Sequence, residues 1–386
     1  MKNERIDWFM FAIAASLAVF GTMMVYSASA MIAHRENGGG SEFSYFFKKA
    51  GFSGGRFVFN VAFSRIDHRR YNNVWVVGVA LVATVTLLSA VFAFPEINGA
   101  QRWIRFGSFS LQPSEMAKIA LPIFLAWFLT KNQEKIGEIR ATMLPAAAVF
   151  ALLGGLVIME PDLGTALVLG AIFAAIYFTA GARLLHVAAL GVAVLPILVG
   201  VLVFAPWRMR RLTAFVDPGN PENAADAGYQ VCQSLYAIGS GGILGEGFAK
   251  GQQKLFYLPY PYSDFIFSVV GEELGLVGTL GIVIAFGMLL WRGAKAAFNA
   301  PDRFGTLLGV GLITGIVVQA LFNISVVTSL LPAKGIPLPF ISYGGSSVLV
   351  TLAAVGILLN ISKGSDISDP PSRTPLKGRK GRRGQR

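Results

Sequence analysis

Ten apolar runs follow one another along this chain of 386 residues, and most approach the length of a membrane-spanning helix. A helix needs about 20 apolar residues to cross a bilayer. The runs therefore predict an all-α polytopic membrane protein of about ten transmembrane helices. They cover residues 8–30, 46–63, 73–95, 114–130, 141–159, 163–180, 184–205, 264–291, 305–330 and 341–361.

Composition excludes several other classes of protein. Hydrophobic residues make up 54% of the chain and charged residues only 14%, whereas soluble domains carry about 25% charged residues. A cytosolic enzyme, a disulfide-rich secreted module and a disordered scaffold are therefore excluded. The single Cys232 rules out an internal disulfide, and the three histidines lack metal-ligand spacing. We expect the first run to be an uncleaved span, because it is long for a signal-peptide core.

Basic clusters near the ends of the runs set the predicted orientation. Cytoplasmic loops carry an excess of Lys and Arg, and with both termini cytoplasmic the strong clusters all fall inside. The net charge of +12 is then explained without nucleic acid. The Gly-rich run 46–63 is kept as a tilted or broken span, because dropping it would invert every later loop. Domain boundaries follow: a tail at 1–7, a membrane domain at 8–362 and a basic, disordered tail at 363–386, which would contact anionic lipid.

The outer loops, 96–113, 160–162, 206–263 and 331–340, hold most of the unusual polar chemistry. Arg102 lies on this side against the charge trend, which suits an anion such as a diphosphate. Glu115 and Lys118 are three residues apart on a predicted helix and can form a pair. The alternative for this segment is an interfacial Trp103 and Arg anchor beside a structural ion pair.

Two further outer segments each carry an acidic residue with two interpretations. Glu160 and Asp162 lie in a tight turn, where Asp162 would cap the next helix or contact a divalent cation or a sugar hydroxyl. Asp264 follows the long loop 206–263, where the chain enters the eighth span, and would act as a helix cap or as a catalytic group. Glu272 and Glu273 follow two turns deeper, where carboxylates usually face an interior cavity.

A Pro-rich segment before the last span carries Lys334, another outer cation, and Ser342 in a Gly- and Ser-rich turn. Gln319 and Asn323 lie within the ninth run and are expected to form interhelical hydrogen bonds rather than to bind a ligand. The Gly311-x-x-x-Gly315 spacing predicts close helix packing.

A set of motifs spans residues 8–362 in order. They are Arg102-Trp103, Pro113-Ser114-Glu115, Glu160-Pro161-Asp162-Leu163-Gly164-Thr165, Gly228-Tyr229-Gln230, Gln252-Gln253, Asp264-Phe265-Ile266-Phe267, Gly271-Glu272-Glu273-Leu274-Gly275 and Pro339-Phe340-Ile341-Ser342-Tyr343-Gly344-Gly345. This set resembles the SEDS family of shape, elongation, division and sporulation proteins. The segment 254–261 is similar to the division branch of that family.

The resemblance implies a peptidoglycan glycosyltransferase of the bacterial inner membrane, acting at the division septum. It would polymerise lipid II on the periplasmic face and work with a class B penicillin-binding protein and other division proteins. Asp264 matches the catalytic Asp of the family and would act as general base on the acceptor hydroxyl.

Several residues are expected to assist this chemistry. Glu115 and Lys118 are expected to be catalytic, with Glu115 orienting either Lys118 or the acceptor. Lys118 and a bound Mg²⁺ or Mn²⁺ could help to neutralise the leaving diphosphate. No organic cofactor is expected. Substrate contacts are expected from Arg102, Trp103, Gln112, Glu160, Asp162, Gln230, Gln253, Lys334 and Ser342. The alternatives are a transporter of lipid-linked precursors and a non-enzymatic division scaffold.

Overall fold

The computed structural model describes residues 6–36, 60, 62–96, 99–106, 109–217, 220 and 228–364. Most of the second predicted span, residues 1–5, residues 218–219 and 221–227 of the long loop, and the tail from 365 onward lie outside the described residues. The main helices are α1 Trp8–Glu36, α2 Val74–Ala90, α3 Pro113–Lys131, α4 Leu144–Met159, α5 Leu163–Thr179, α6 Leu184–Val203, α7 Pro206–Val216, α8 Tyr229–Gly241, α9 Ile266–Phe298, α10 Arg303–Val327 and α11 Gly345–Gly364. A two-stranded antiparallel hairpin joins β1 Ile104–Phe106 to β2 Phe109–Leu111.

The predicted all-α, multi-pass membrane architecture is confirmed. Within the described residues, six helices are long and apolar enough to cross a membrane, and α5 is a shorter apolar helix. The outer segment 206–263 differs from a simple loop, because it contains α7 and α8. The described end of the second predicted span is helical at residue 60 and at 62–65. It is tied to α11 by the Asn60 side-chain amide, which donates to Leu352 O at 3.0 Å.

The core centres on α10, which packs against α9, α5 and α3. Small residues allow these close contacts. A Cβ added at Gly311 would lie 2.5 Å from Ile176 Cδ1, and one at Gly315 would lie 3.0 Å from Ile172 Cδ1. The close packing predicted from the Gly311-x-x-x-Gly315 spacing is therefore confirmed.

The helix α9 is broken at Gly275, whose φ and ψ are 63° and −156°. A break exposes backbone groups that an apolar surrounding cannot satisfy. The loop after α8 fills the gap on both sides. Leu276 N donates to Gly242 O at 2.9 Å, and Glu246 N donates to Glu272 O at 2.9 Å. The apolar pattern of residues 264–291 gave no indication of this break.

Glu272 and Glu273 anchor the next part of the outer segment instead of facing an interior cavity, so that expectation is wrong. Glu272 accepts the backbone N–H of Gln252 at 2.6 Å and of Gln253 at 3.0 Å. Glu273 is fully buried and pairs with the buried Lys254 ammonium at 2.6 Å. The Ser27 hydroxyl of α1 donates to the same carboxylate at 2.6 Å. These bonds hold residues 249–254 against α9 and α1.

Gly241 and Gly239 offer a matched pair of substitutions on α8. We expect Gly241→Ala to destabilise the protein by about 1–3 kcal/mol, because its Cβ would lie 1.9 Å from Gly271 O. Gly239→Ala meets nothing within 4 Å and should be neutral or stabilising by up to about 1 kcal/mol, because Ala favours helix. Melting temperatures in detergent measure both. Equal melting temperatures for the two variants would contradict the close α8–α9 contact.

Candidate functional site

A cavity of about 200 Å³ lies where the turn before α5, the start of α7 and the segment 332–335 meet. Four cationic side chains and one acidic side chain line it. These are Arg102, Arg208, Arg211, Lys334 and Asp162. The remaining lining is largely apolar and includes Leu202, Trp207 and Leu212. The cavity is therefore suited to a ligand that joins an anion to an apolar group.

Arg102 is fixed by the turn that precedes α5. Its Nε donates to Glu160 O at 3.0 Å, and a second guanidinium nitrogen donates to Pro161 O. These bonds use carbonyl groups that end α4. Both partners are backbone carbonyl groups, so these bonds leave the guanidinium without a carboxylate partner. Arg102 therefore lines the cavity, and its expected contact with the substrate stays a prediction.

Asp162 caps α5 and lines the cavity at the same time. Its carboxylate accepts the Thr165 backbone N–H at 3.1 Å and the Thr165 hydroxyl at 2.8 Å. Gln112 Nε2 donates to it at 3.3 Å. The structural interpretation of Asp162 as a cap is confirmed, and Gln112 reaches the cavity wall only through this residue.

Glu160 is completely buried, and neither of its carboxylate oxygens has a hydrogen-bond partner among the described residues. Burial, reinforced by the neighbouring Asp162, raises the pKa of Glu160 to about 9. The side chain is therefore a neutral carboxylic acid at neutral pH. Its backbone, rather than its side chain, contacts Arg102.

Asp264 lies beside the cavity, two residues before α9. The cap residue of α9 is Phe265, and no side chain caps the helix, so the interpretation of Asp264 as a helix cap is wrong. A Cβ added at Gly335, which lines the cavity, would lie 2.7 Å from Asp264 Oδ2. Asn323 Nδ2 donates to Asp264 O and to Ile336 O, both at 2.7 Å. Asn323 therefore ties Asp264 to the segment that forms the cavity wall.

Burial and the neighbouring charges shift the pKa of Asp264 in opposite directions. Burial raises its pKa to about 6, Arg102 and Arg211 lower it, and Asp162 raises it. The same burial lowers the pKa of Lys334 and of Arg211, helped by Arg208 and Arg102 respectively. Because these cations repel one another, the cavity favours an anionic ligand.

Ser342 does not line the cavity, but its hydroxyl bonds the segment after α10 to the residue directly before Asp264. Its hydroxyl accepts from Leu338 N at 2.7 Å and donates to Ser263 O at 2.6 Å. Tyr343 N donates to Tyr262 O at 2.8 Å. These bonds fix the residues directly before Asp264.

Glu115 and Lys118 pair as predicted but stand apart from the cavity lining. The Lys118 ammonium lies 2.6 Å from Glu115 Oε2 and also donates to Gln319 Oε1. Gln319 Nε2 donates to Pro337 O at 2.8 Å. The expected interhelical role of Gln319 is confirmed, whereas a catalytic role for the pair stays a prediction.

Three other predicted contact residues, Trp103, Gln230 and Gln253, also lie outside the cavity lining. The Gln253 backbone belongs to the anchor on Glu272. Gln230 lies in the first turn of α8. Their roles as substrate contacts stay predictions.

Arg208 and Arg211 of α7 are cavity residues that the sequence analysis missed. Both are basic residues in an outer loop, against the charge trend, as Arg102 is. The same departure from the charge trend that indicates Arg102 and Lys334 therefore also indicates Arg208 and Arg211. Facing the cavity from one helix, they lie three residues apart, one turn of α7.

In the described part of the chain, the expected divalent cation has no preformed set of protein ligands. No group of three or more His, Cys, Asp or Glu side chains there could hold a metal ion. Asp162 is already used by Thr165 and Gln112. The divalent cation stays a prediction, and the cationic side chains of the cavity can supply positive charge to an anionic ligand.

Comparisons with known proteins assign the chain to one family. Residues 7–367 match a family described as cell cycle protein, which joins FtsW, RodA and SpoVE. The chain is 43% identical over 365 residues to the probable peptidoglycan glycosyltransferase FtsW of Geobacter metallireducens, covering 93% of this chain and 95% of that relative. It is 39% identical over 367 residues to stage V sporulation protein E of Bacillus subtilis, covering 94% and 98%.

A solved structure also matches over nearly the whole chain. It describes the structural coordination of polymerization and crosslinking by a peptidoglycan synthase complex, and one of its chains superimposes with a TM-score of 0.75. The sequence identity is 26%, and the match covers 94% of this chain and 99% of the other. The resemblance drawn from the sequence motifs is thus confirmed, and the chain belongs to the SEDS family of FtsW, RodA and SpoVE cell-cycle proteins.

Proposed function

We propose that this protein is a peptidoglycan glycosyltransferase that polymerises lipid II on the outer face of the bacterial plasma membrane. The observation that carries the proposal is a carboxylate, Asp264, against the wall of a cavity lined by four cations and apolar side chains. The family membership and the names of the relatives support the same activity.

The proposed reaction is a single displacement at the anomeric carbon of the donor sugar. The acceptor hydroxyl oxygen forms the new C–O bond, and the bond from C1 to the diphosphate oxygen breaks. The diphosphate leaves with the electron pair, and Asp264 takes the hydroxyl proton. One displacement inverts the configuration of the anomeric carbon.

The cationic side chains act on the leaving group. Negative charge develops on the diphosphate as the bond breaks, and cations placed beforehand stabilise that charge. Guanidinium groups match phosphate oxygens with paired hydrogen bonds. Arg102, Arg208, Arg211 and Lys334 are placed for this purpose, while Leu202 and Leu212 offer an apolar surface to the lipid.

The pKa of about 6 suits Asp264 for this role. The carboxylate is mostly ionised at neutral pH, yet it is a stronger base than an exposed Asp, whose pKa is about 3.9. A positioned base contributes about 10²–10⁴-fold to a rate.

The partner in this proposal is a class B penicillin-binding protein that crosslinks the glycan product at the division septum. The support is the matched chain, which comes from a complex described as coordinating polymerization with crosslinking. The relatives named FtsW support a role in division.

A transporter of lipid-linked precursors is the second candidate, and one observation favours it. The break at Gly275 in α9 is a feature of transporter helices. In this protein the described loop 242–247 fills the break with backbone hydrogen bonds, so the break serves packing more directly than transport.

Asp264→Asn should reduce polymerisation of fluorescent lipid II by about 10²–10⁴-fold, because the amide cannot take the hydroxyl proton. The assay uses the purified protein with its penicillin-binding partner. Glu246→Gln is the matched control, since this exposed outer carboxylate lies outside the cavity lining. Full activity of Asp264→Asn would show that Asp264 is not the general base. Movement of lipid II across vesicle membranes without polymer formation would favour the transporter.

The pH dependence of kcat/KM should show an acidic limb near pH 6. The raised pKa means that Asp264 becomes protonated as the pH falls through about 6, so activity should fall about tenfold per pH unit below that value. Stopped-time polymerisation assays across the range measure this. A flat profile down to about pH 5 would contradict a base with this pKa.

Arg211→Gln should weaken turnover by about 10–100-fold, the value of a lost charged hydrogen bond. It should also move the acidic limb to higher pH, because Arg211 lowers the pKa of Asp264. Arg210→Gln is the matched control on the same helix, outside the cavity lining. Equal losses in both variants would show that α7 acts only through its overall charge.

A further inference from the structure

A second cavity, of about 620 Å³, opens at the opposite end of the molecule, between the start of α2 and the end of α3. Its walls include Asn73, Trp75, Trp127, Thr130 and Lys131. Lys131 is the one charged side chain in this lining within the described part of the chain. We name it the α2–α3 groove. No residue of the groove takes part in the proposed transferase chemistry.

The polar groups of the groove suit a phosphate. The Lys131 ammonium lies 5.5 Å from the centre of the Trp127 ring. Next to it, the buried Thr130 hydroxyl oxygen has no hydrogen-bond partner among the described residues. The side-chain oxygen of Asn73 is already used, since Oδ1 accepts the Trp75 backbone N–H at 2.9 Å. The Lys131 ammonium can therefore contact an anionic oxygen in this opening, whereas the Thr130 hydroxyl is buried behind the surface of the groove.

An apolar strip on α2 leads away from the groove. Trp75, Val79 and Val82 are 80%, 67% and 65% exposed and recur at the i, i+4 and i+7 spacing of one helix face. At about 1.5 Å per residue the strip is roughly 10 Å long. A free phosphate or an acidic peptide would make no apolar contact with such a strip, whereas an acyl chain can lie along it.

The position of the groove fits the boundary of a membrane. The span α2 starts at the groove, and the span α3 ends there. Trp residues concentrate at the interface between bilayer and water. The exposed Arg70 lies in the preceding turn, His68–Tyr71, outside the lining of the groove. Basic pockets between membrane helices on this side hold anionic lipid headgroups.

We propose that the α2–α3 groove binds an anionic phospholipid such as phosphatidylglycerol. The headgroup phosphate contacts the Lys131 ammonium, Trp75 and Trp127 flank the glycerol, and one acyl chain follows the strip on α2. The site is separate from the cavity beside Asp264, so its failure would leave the proposed function untouched.

Native mass spectrometry of the full-length protein with added phosphatidylglycerol or phosphatidylcholine tests the site. The wild type should bind phosphatidylglycerol more tightly than phosphatidylcholine. Lys131→Gln should weaken phosphatidylglycerol binding by about fivefold and leave phosphatidylcholine binding unchanged. Lys131 is exposed, so this variant should fold.

Two further variants sharpen the result. Lys135→Gln makes the same charge change outside the lining of the groove and should bind as the wild type does. Thr130→Val keeps the shape and removes only a hydroxyl buried behind the surface of the groove, so it should also bind phosphatidylglycerol as the wild type does. Unchanged binding in Lys131→Gln, or equal wild-type affinity for the two lipids, would overturn the proposal. Displacement by glycerol 3-phosphate would assign the groove to a soluble phosphate instead.

Discussion

The position of Asp264 depends on two adjacent buried carboxylates, Glu272 and Glu273, and on the helix break that follows them. An unpaired carboxylate or backbone amide is costly in an apolar surrounding. Here these groups satisfy one another, because residues 242–254 supply N–H, carbonyl and ammonium partners to α9. The chain between this anchor and the start of α9 is thus fixed at both ends. Its last part carries Asp264 to the wall of the cavity.

The sequence predicted what local chemistry determines. Apolar runs of sufficient length become helices because a membrane leaves the backbone no other partners, and α3, α4 and α5 begin and end within a few residues of the predicted spans. The pairing of Glu115 with Lys118 and the capping by Asp162 also follow from spacing within one turn. The resemblance to a known family, rather than spacing, supplied the role of Asp264.

Long-range packing accounts for what the sequence did not predict. Arg208 and Arg211 reach the cavity only because α7 folds back beside the segment 332–335, and no local pattern specifies that return. The break at Gly275 has the same character, since its positive φ of 63° is required by the loop that inserts there. A glycine inside an apolar run otherwise reads as a packing residue.

The cations and the carboxylate of the site form one electrostatic unit. Arg102 and Arg211 hold the pKa of Asp264 below the value that burial alone would give. If a diphosphate occupies the cavity as proposed, its negative charge offsets these cations, and the pKa of Asp264 rises. The carboxylate then becomes a stronger base only when the donor is bound. The same few charges then control both parts of the displacement. They neutralise the leaving diphosphate, and their neutralisation in turn makes Asp264 a stronger base for the acceptor hydroxyl.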